Sequence, residues 1–83
     1  MNQEFLAKFE KDLTLKELDL LKHNIDNVVF HRVTKRTLVC VVTTKSGFES
    51  HGISKVRHED QFKRHLGELY ALKHALHYVI NMS

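Results

Sequence analysis

The stretch Thr37-Leu-Val-Cys-Val-Val-Thr-Thr44 decides the fold. Most of its side chains branch at Cβ, which favours a strand, and a run of this length is too short for a typical buried helix. Because the run is apolar at almost every position, it predicts a central strand that is covered on both faces.

The segments on either side complete an antiparallel meander. Residues 25–33 are rich in β-branched and aromatic side chains, and the polar residues 34–36 separate them from the central strand. On the other side, Lys45-Ser46-Gly47 predicts a turn in which Gly47 is free to adopt a positive φ. Residues 48–54 alternate weakly between polar and apolar side chains, which indicates a third strand.

Helical periodicity precedes the sheet. One apolar face near the N-terminus is formed by Phe5, Leu6, Phe9 and Leu13. Asn2 suits the start of this helix, and Thr14 with Glu17 forms the capping-box pattern that starts a second helix. The second helix is expected to end at residues 22–23, before Asn24, and either to continue the first helix or to be kinked against it.

The last third of the chain predicts one long helix, from about residue 59 to residue 81, with an apolar stripe of Phe62, Leu66, Leu69, Leu72, Leu76, Val79 and Ile80. At about 33 Å this helix is longer than a seven-residue strand. Part of it must therefore be covered by the N-terminal helices or by another subunit, and a homo-oligomer is expected. The predicted fold class is α+β, with an N-terminal helical segment, a three-stranded antiparallel β-meander and a long C-terminal helix packed on the sheet.

Small residues recur at helical spacing within this last helix, at Gly67, Ala71 and Ala75. Such a strip lets another backbone approach closely, and that contact must offset the roughly 1 kcal/mol that a glycine costs in a helix interior. Two interpretations are open. The strip packs on the sheet of the same chain, or it contacts a helix of a second subunit.

Composition is typical of one small globular domain. The 83 residues are 42% hydrophobic and 28% charged, with a single cysteine, so residues 1–83 are expected to fold as a unit with a small core. A lone cysteine fits a reducing compartment, and no apolar run reaches the length of a membrane span. We therefore expect a cytoplasmic protein without membrane contact.

No catalytic or metal-binding constellation stands out. Cys40 lies within the apolar strand and is interpreted as a small buried hydrophobe, because no sequence neighbour would activate its thiol. The seven histidines lack the spacing of a zinc site and are interpreted as solvated or pH-sensitive. Nucleophile elbows and phosphate-binding glycine loops are absent from the sequence. An enzyme, a metal site and a bound cofactor are therefore not expected.

Positive charge is concentrated away from the N-terminal segment. Residues 1–26 hold six acidic and four basic side chains, whereas residues 27–83 hold four acidic and nine basic ones. The candidate residues for an anionic ligand are Arg32, Lys35, Arg36, Lys45, Lys55, Arg57, His58, Lys63 and Arg64. These side chains form either a solvated rim or a site for a nucleotide, a nucleic-acid backbone or an acidic protein. Phe48 is interpreted as a core residue, with stacking on a base as the alternative.

One set of spacings resembles a known family. The set follows the apolar strand and consists of Gly47, Phe48, Gly52, Phe62, Gly67, Ala71 and Ala75. Over about residues 25–80 this pattern resembles a family of small tailed-phage accessory proteins, named after phage gene products forty-nine and sixty-six. The chain departs from the family pattern at Ser46, where asparagine is usual, before Phe62, where proline is usual, and at Lys63, where an acidic residue is usual.

The resemblance implies an accessory protein that acts in the cytoplasm of an infected host cell. Similarity to the architecture of phage anti-defence proteins suggests a homo-oligomer that sequesters an anionic nucleotide signal in a basic pocket. A second hypothesis is a protein that inhibits a host nuclease or CRISPR effector through the N-terminal helical segment, residues 1–23. Direct nucleic-acid binding is the third hypothesis, and it predicts an affinity that falls steeply with salt.

Overall fold

The computed structural model describes residues 3–55 and 64–82, and it has the expected α+β fold. The elements in chain order are α1 (Gln3–Phe9), a short 3-10 helix (Glu10–Asp12), α2 (Leu15–His23), β1 (Ile25–Thr34), β2 (Thr37–Thr44), β3 (Glu49–Lys55) and α3 (Arg64–Met82). Asn2 and the predicted start of the last helix at Glu59 lie outside the described residues. None of the described helices is long and apolar enough to cross a membrane.

Two separate helices form near the N-terminus, because a capping box starts a new helix at Thr14. The Glu17 amide donates to Thr14 Oγ1 at 3.2 Å, and the Thr14 amide donates to Glu17 Oε1 at 2.8 Å. The bond from the Glu17 amide satisfies one of the donors that a helix start leaves unpaired. The chain is extended at Leu13, between the 3-10 helix and α2, so the alternative of one continuous helix is wrong.

The three strands form one antiparallel sheet in the order β1-β2-β3, which confirms that β2 is the central strand. Side chains alternate along β2, where Leu38, Cys40 and Val42 are buried and Val39 and Val41 are only partly buried. The described helices pack on the side of the buried residues. The prediction that both faces of β2 are covered is therefore wrong for the described part of the chain. A continuous apolar run does not distinguish one covered face from two.

α3 lies against β3 because small residues let the two backbones approach. A Cβ atom at Gly52 would collide with the Ala71 carbonyl oxygen and lie 2.5 Å from the Ala75 amide nitrogen. The Ser50 hydroxyl donates to the Ala75 carbonyl oxygen at 2.9 Å. Ala71 and Ala75 are fully buried within the single chain, which confirms intrachain packing for both and excludes a subunit contact there. Gly67, on the same helix, is also buried.

The N-terminal helices provide the predicted cover for α3 within one chain. Lys8 Nζ lies 2.7 Å from a carboxylate oxygen of the buried Glu68, and Lys73 Nζ lies 2.7 Å from Glu17 Oε1. The hydrophobic core includes Phe9 and Leu21 from the N-terminal helices, Ile25 from β1, and Leu72 and Leu76 from α3. Helices and sheet therefore share one continuous hydrophobic core.

The Glu17 carboxylate joins the helix cap to α3. Its partial burial alone raises the pKa of the carboxyl group. Hydrogen bonds from Lys73 Nζ and the Thr14 amide, together with the Lys73 charge, outweigh that effect and leave the pKa below its ordinary value of 4.5. Glu17 is therefore ionised in the folded protein at neutral pH.

Candidate ligand-binding site

The basic residues predicted for one site lie at opposite ends of the sheet. Arg32, Lys35, Arg36 and Lys55 surround the turn between β1 and β2, which we call the hairpin end. Lys45 lies in the turn between β2 and β3, one full strand away. At about 3.4 Å per residue, β2 separates the two ends by about 24 Å. Lys45 and the hairpin end therefore cannot hold the same small ligand.

The charges of the hairpin end are distributed over both faces of the sheet. Arg32 pairs across the strands with Leu38, on the helix-covered face, whereas Lys55 pairs with Thr37, on the other face. The Arg32 guanidinium donates to the Lys35 carbonyl oxygen at 3.0 Å, which orders the turn. The hairpin end thus presents cations around an exposed turn and does not enclose a ligand.

The remaining predicted cations belong to α3 or lie outside the described residues. Arg64 is the first residue of α3. The helix runs from there past Gly52 to the cleft beside Lys45, so Arg64 lies toward the hairpin end of the sheet. Arg64 Nε lies 3.6 Å from Glu68 Oε2, so a buried carboxylate balances part of its charge. The predicted site residues outside the described residues are Arg57, His58 and Lys63, and Phe62 of the family pattern lies there too.

A cleft of about 500 Å³ lies at the other end of the sheet, around Lys45. It is bounded by the end of α2, the turn between β2 and β3, and the last turns of α3. Its lining consists of Leu20, His23, Asn24, Thr44, Lys45, Ser46, Phe48 and Val79. Apolar side chains accompanied by a few hydroxyl, imidazole and ammonium groups are the usual lining of a small-molecule site.

Phe48 is 38% exposed and lines this cleft, so its interpretation as a core residue is wrong. The turn holds it in place, because the Phe48 amide donates to Thr44 Oγ1 at 3.0 Å and its carbonyl oxygen accepts from the Thr44 amide at 2.8 Å. Gly47 adopts a φ of +91°, as predicted, which lets the chain reverse directly before Phe48. An ordered turn therefore presents the ring at the cleft.

His23 and Lys45 bring nitrogen groups to the cleft from two different elements. The Lys45 amide donates to the Asn24 carbonyl oxygen at 2.8 Å, which fixes the end of α2 against the turn. His23 Nε2 lies 3.5 Å from Asp19 Oδ1, so a carboxylate stands beside the imidazole. Lys45 is exposed, and its ammonium is the cleft's strongest group for pairing with an anion.

Cys40, in contrast, is enclosed in the core. Burial, together with the nearby Glu68 carboxylate, raises the pKa of its thiol to about 12. A thiol of this kind is not a nucleophile at neutral pH, which confirms its interpretation as a small buried hydrophobe. Within residues 3–55 and 64–82, no three His, Cys, Asp or Glu side chains lie close enough together to hold a metal ion.

Sequence reasoning named Lys45 as a candidate but interpreted Phe48 as a core residue, and it did not identify Leu20, His23 or Val79 as residues of the site. The missed residues belong to helices far from the turn in sequence, and only tertiary packing brings them together. The local sequence offered one indication of these missed residues, which was the position of His23 as the last residue of α2, next to the start of the sheet.

Comparison of the chain with models of protein families, with curated proteins and with solved structures found no match. No relative therefore transfers a ligand or an activity to the cleft.

Proposed function

We propose that this chain is a small binding protein that holds an anionic nucleotide in the cleft around Phe48 and Lys45. In line with the resemblance to small tailed-phage accessory proteins, the nucleotide is a host defence signal. The protein acts in the cytoplasm of the infected cell and withdraws that signal from solution. Retention of an unchanged ligand requires no catalytic residue.

The exposed ring of Phe48 carries this proposal. A phenylalanine residue is usually buried, yet Phe48 is 38% exposed on an ordered turn that lines a cleft beside a lysine. Stacking of a base on an aromatic ring contributes about 1–3 kcal/mol and tolerates any base. A ring and a cation together match the two parts of a nucleotide, its base and its phosphate.

The size and lining of the cleft also suit such a ligand. Its volume of about 500 Å³ falls within the usual range of about 300–1,000 Å³ for small-molecule sites. Leu20 and Val79 supply apolar contact for the base, while the Lys45 ammonium pairs with the phosphate and the His23 imidazole offers a further hydrogen-bonding group. The ligand is thus recognised by elements that only the folded chain brings together.

Isothermal titration calorimetry with AMP, ADP-ribose and a cyclic dinucleotide tests the proposal. Phe48→Ala removes the ring and is expected to raise the Kd of a bound nucleotide about tenfold, as the loss of one stacking contact predicts. Lys45→Ala is expected to raise the Kd about fivefold and to reduce its dependence on salt. Tyr70→Ala is the matched control. It removes an exposed ring from α3 that does not line the cleft, and it should leave the Kd unchanged.

Two results contradict the proposal. One is the absence of binding for all three nucleotides at about millimolar concentration, where even a weak specific site is occupied. The other is nucleotide binding that Phe48→Ala leaves unchanged while Arg36→Ala abolishes it, because the ligand then lies at the hairpin end.

The hairpin end supports a second candidate function, contact with a nucleic-acid backbone. Four cations surround its exposed two-stranded turn. A two-stranded β-ribbon fits the major groove of DNA, and each phosphate contact makes binding more sensitive to salt. Fluorescence anisotropy of a labelled duplex at about 50 and 200 mM salt measures this sensitivity. Arg36→Ala should reduce both the affinity and its salt dependence, whereas Phe48→Ala should change neither.

A further inference from the structure

The side of the sheet opposite the helices is a second surface, which we call the open face. It carries the odd-numbered side chains of residues 27–31, 37–43 and 49–55. Cross-strand pairing arranges its centre in two rows. One row holds Val29, Val41 and His51, and the other holds His31, Val39 and Ile53. The described helices pack on the opposite side of the sheet.

Four of the six side chains at the centre of the open face are aliphatic, the other two being the exposed imidazoles of His31 and His51. Val29 and Ile53 are 36% and 40% exposed, and Val39 and Val41 are only partly buried on the central strand. Neither central row contains a lysine, arginine, aspartate or glutamate. Covering these side chains is favourable in proportion to the apolar area removed from water.

The open face carries one carboxylate, Glu49, and one lysine, Lys55, and these two residues lie at opposite ends of β3. Glu49 lies in one end row with Thr43 and Asn27, and Lys55 lies beside Thr37 at the other end. The same strand is therefore acidic at one end and basic at the other. A second copy that is turned end for end brings its own Lys55 over Glu49, so the surface is complementary to itself.

We propose that two copies of this chain pack open face to open face around a two-fold axis that lies between the sheets and crosses the strands at right angles. Each β3 then lies over the partner's β3 in the opposite direction, so that Glu49 pairs with the partner's Lys55 in two symmetric places. The central rows exchange, and Val41 meets the partner's Val39 near the axis. Two sheets about 10 Å apart at an angle near 30° form the usual β-sandwich.

Charge selects this axis over the other two-fold axis that opposes the two faces. An axis parallel to the strands places β3 over the partner's β1 and Glu49 over the partner's Asn27. Both charges of β3 would then lack an opposite charge across the interface, which costs free energy. The proposed dimer is independent of the nucleotide proposal, because the cleft is formed on the helix-covered side.

The size of the open face predicts a weak dimer. Three strands about 4.8 Å apart and seven residues of about 3.4 Å each give a footprint of about 14 × 24 Å. That area is well below the roughly 800 Å² that each partner contributes to a stable specific interface. We therefore expect a dimer that dissociates on dilution, with a Kd of about 10 µM or higher.

Sedimentation velocity of the full chain from about 10 µM to about 1 mM measures this monomer–dimer equilibrium. Glu49→Lys and Lys55→Glu each place like charges opposite one another at two symmetric positions, and each is expected to raise the Kd about tenfold. The double variant restores both pairs with exchanged signs and should return the Kd to within about threefold of the original value. Lys16→Glu, a charge reversal on exposed α2, is the matched control and should leave the Kd unchanged.

A substitution at the centre of the open face gives an independent result. Val41→Lys places an ammonium group beside the axis and should abolish the dimer, whereas Leu15→Lys, on the helix side, should leave it intact. If Val41→Lys does not fold, the charge-reversal variants of Glu49 and Lys55 still test whether the open face forms the dimer interface. A chain that stays monomeric at about 1 mM overturns the proposal. So does a dimer that Glu49→Lys leaves unchanged, because its interface then lies elsewhere, such as the exposed side of α3 at Tyr70.

Discussion

The two faces of the sheet differ in cover although both carry aliphatic side chains at their centre. On the helix-covered face, Cys40 and Val42 are fully buried, and Gly52 lies against the backbone of α3. On the open face, Val41 and Ile53 belong to the same two strands and remain partly exposed. Apolar composition therefore indicates which surfaces gain stability from burial. Tertiary packing determines which of those surfaces the chain itself covers.

Gly52→Val should have the largest effect, because the helix-covered face leaves no space at this position. The new Cβ atom would collide with the Ala71 carbonyl oxygen and lie 2.5 Å from the Ala75 amide nitrogen, both of which belong to helix backbone. We expect a loss of about 4 kcal/mol or more in the free energy of unfolding, which is enough to leave most molecules of a domain of this size unfolded. Urea denaturation followed by circular dichroism measures it.

His51→Val is the matched control for this substitution. It introduces the same side chain at the neighbouring position of β3, on the open face, and should change the free energy of unfolding by no more than about 0.5 kcal/mol. Equal losses for Gly52→Val and His51→Val would break the distinction between the two faces.

Val42→Ala should have the next largest effect. Val42 is fully buried in the core, so loss of two methyl groups removes apolar contact and leaves a cavity. We expect a loss of about 2 kcal/mol in the free energy of unfolding, measured by urea denaturation. A loss below about 0.5 kcal/mol would mean that the helices yield and fill the space, and that the helix-covered face is packed less tightly than the structure indicates.

Glu17→Gln tests what holds the helices over the sheet. The substitution removes the charge that Lys73 Nζ contacts at 2.7 Å while keeping an acceptor for the Thr14 amide. At neutral pH we expect a loss of about 1 kcal/mol in the free energy of unfolding, since Lys73 is partly exposed. The experiment is urea denaturation of both proteins at about pH 7 and about pH 3.

The sign of the pH dependence follows from the lowered pKa of Glu17. Its contribution to stability is fully present above the ordinary carboxyl pKa of 4.5 and is lost as the pH falls through the lower pKa of the folded state. The difference between the original protein and Glu17→Gln should therefore shrink on acidification. A difference that stays constant down to about pH 3 would contradict a contribution from the ionised carboxylate.

Elements that depend on neighbouring residues were predictable from the sequence. The capping box at Thr14, the positive φ of Gly47 and the strand Thr37–Thr44 each result from local sterics and hydrogen bonding, and all three are found in the structure. The separation of Lys45 from Arg36 was also implicit, because an eight-residue strand lies between them.

The candidate site could be predicted only in part, because its geometry depends on packing between distant segments. Leu20 and Val79 join Phe48 in the cleft through the placement of α2 and α3, which no local pattern encodes. The exposure of Phe48 could not be predicted either, because an aromatic residue after a turn is compatible with a place in the core and with a place in a cleft. Which face of β2 the helices cover was likewise a tertiary outcome.

Among the truncations of apolar side chains, Val41→Ala should have the smaller effect on stability, and it completes the comparison with its neighbour Val42. At about 1 µM, where the proposed dimer is largely dissociated, we expect a loss of no more than about 0.7 kcal/mol in the free energy of unfolding. The Val41 side chain is only partly buried, so water occupies the space that two missing methyl groups leave. A loss equal to that of Val42→Ala would mean that the monomer already covers its open face. If the loss instead grows as the protein concentration is raised, the missing cover is a second copy of the chain, because a contact between subunits stabilises the fold by mass action.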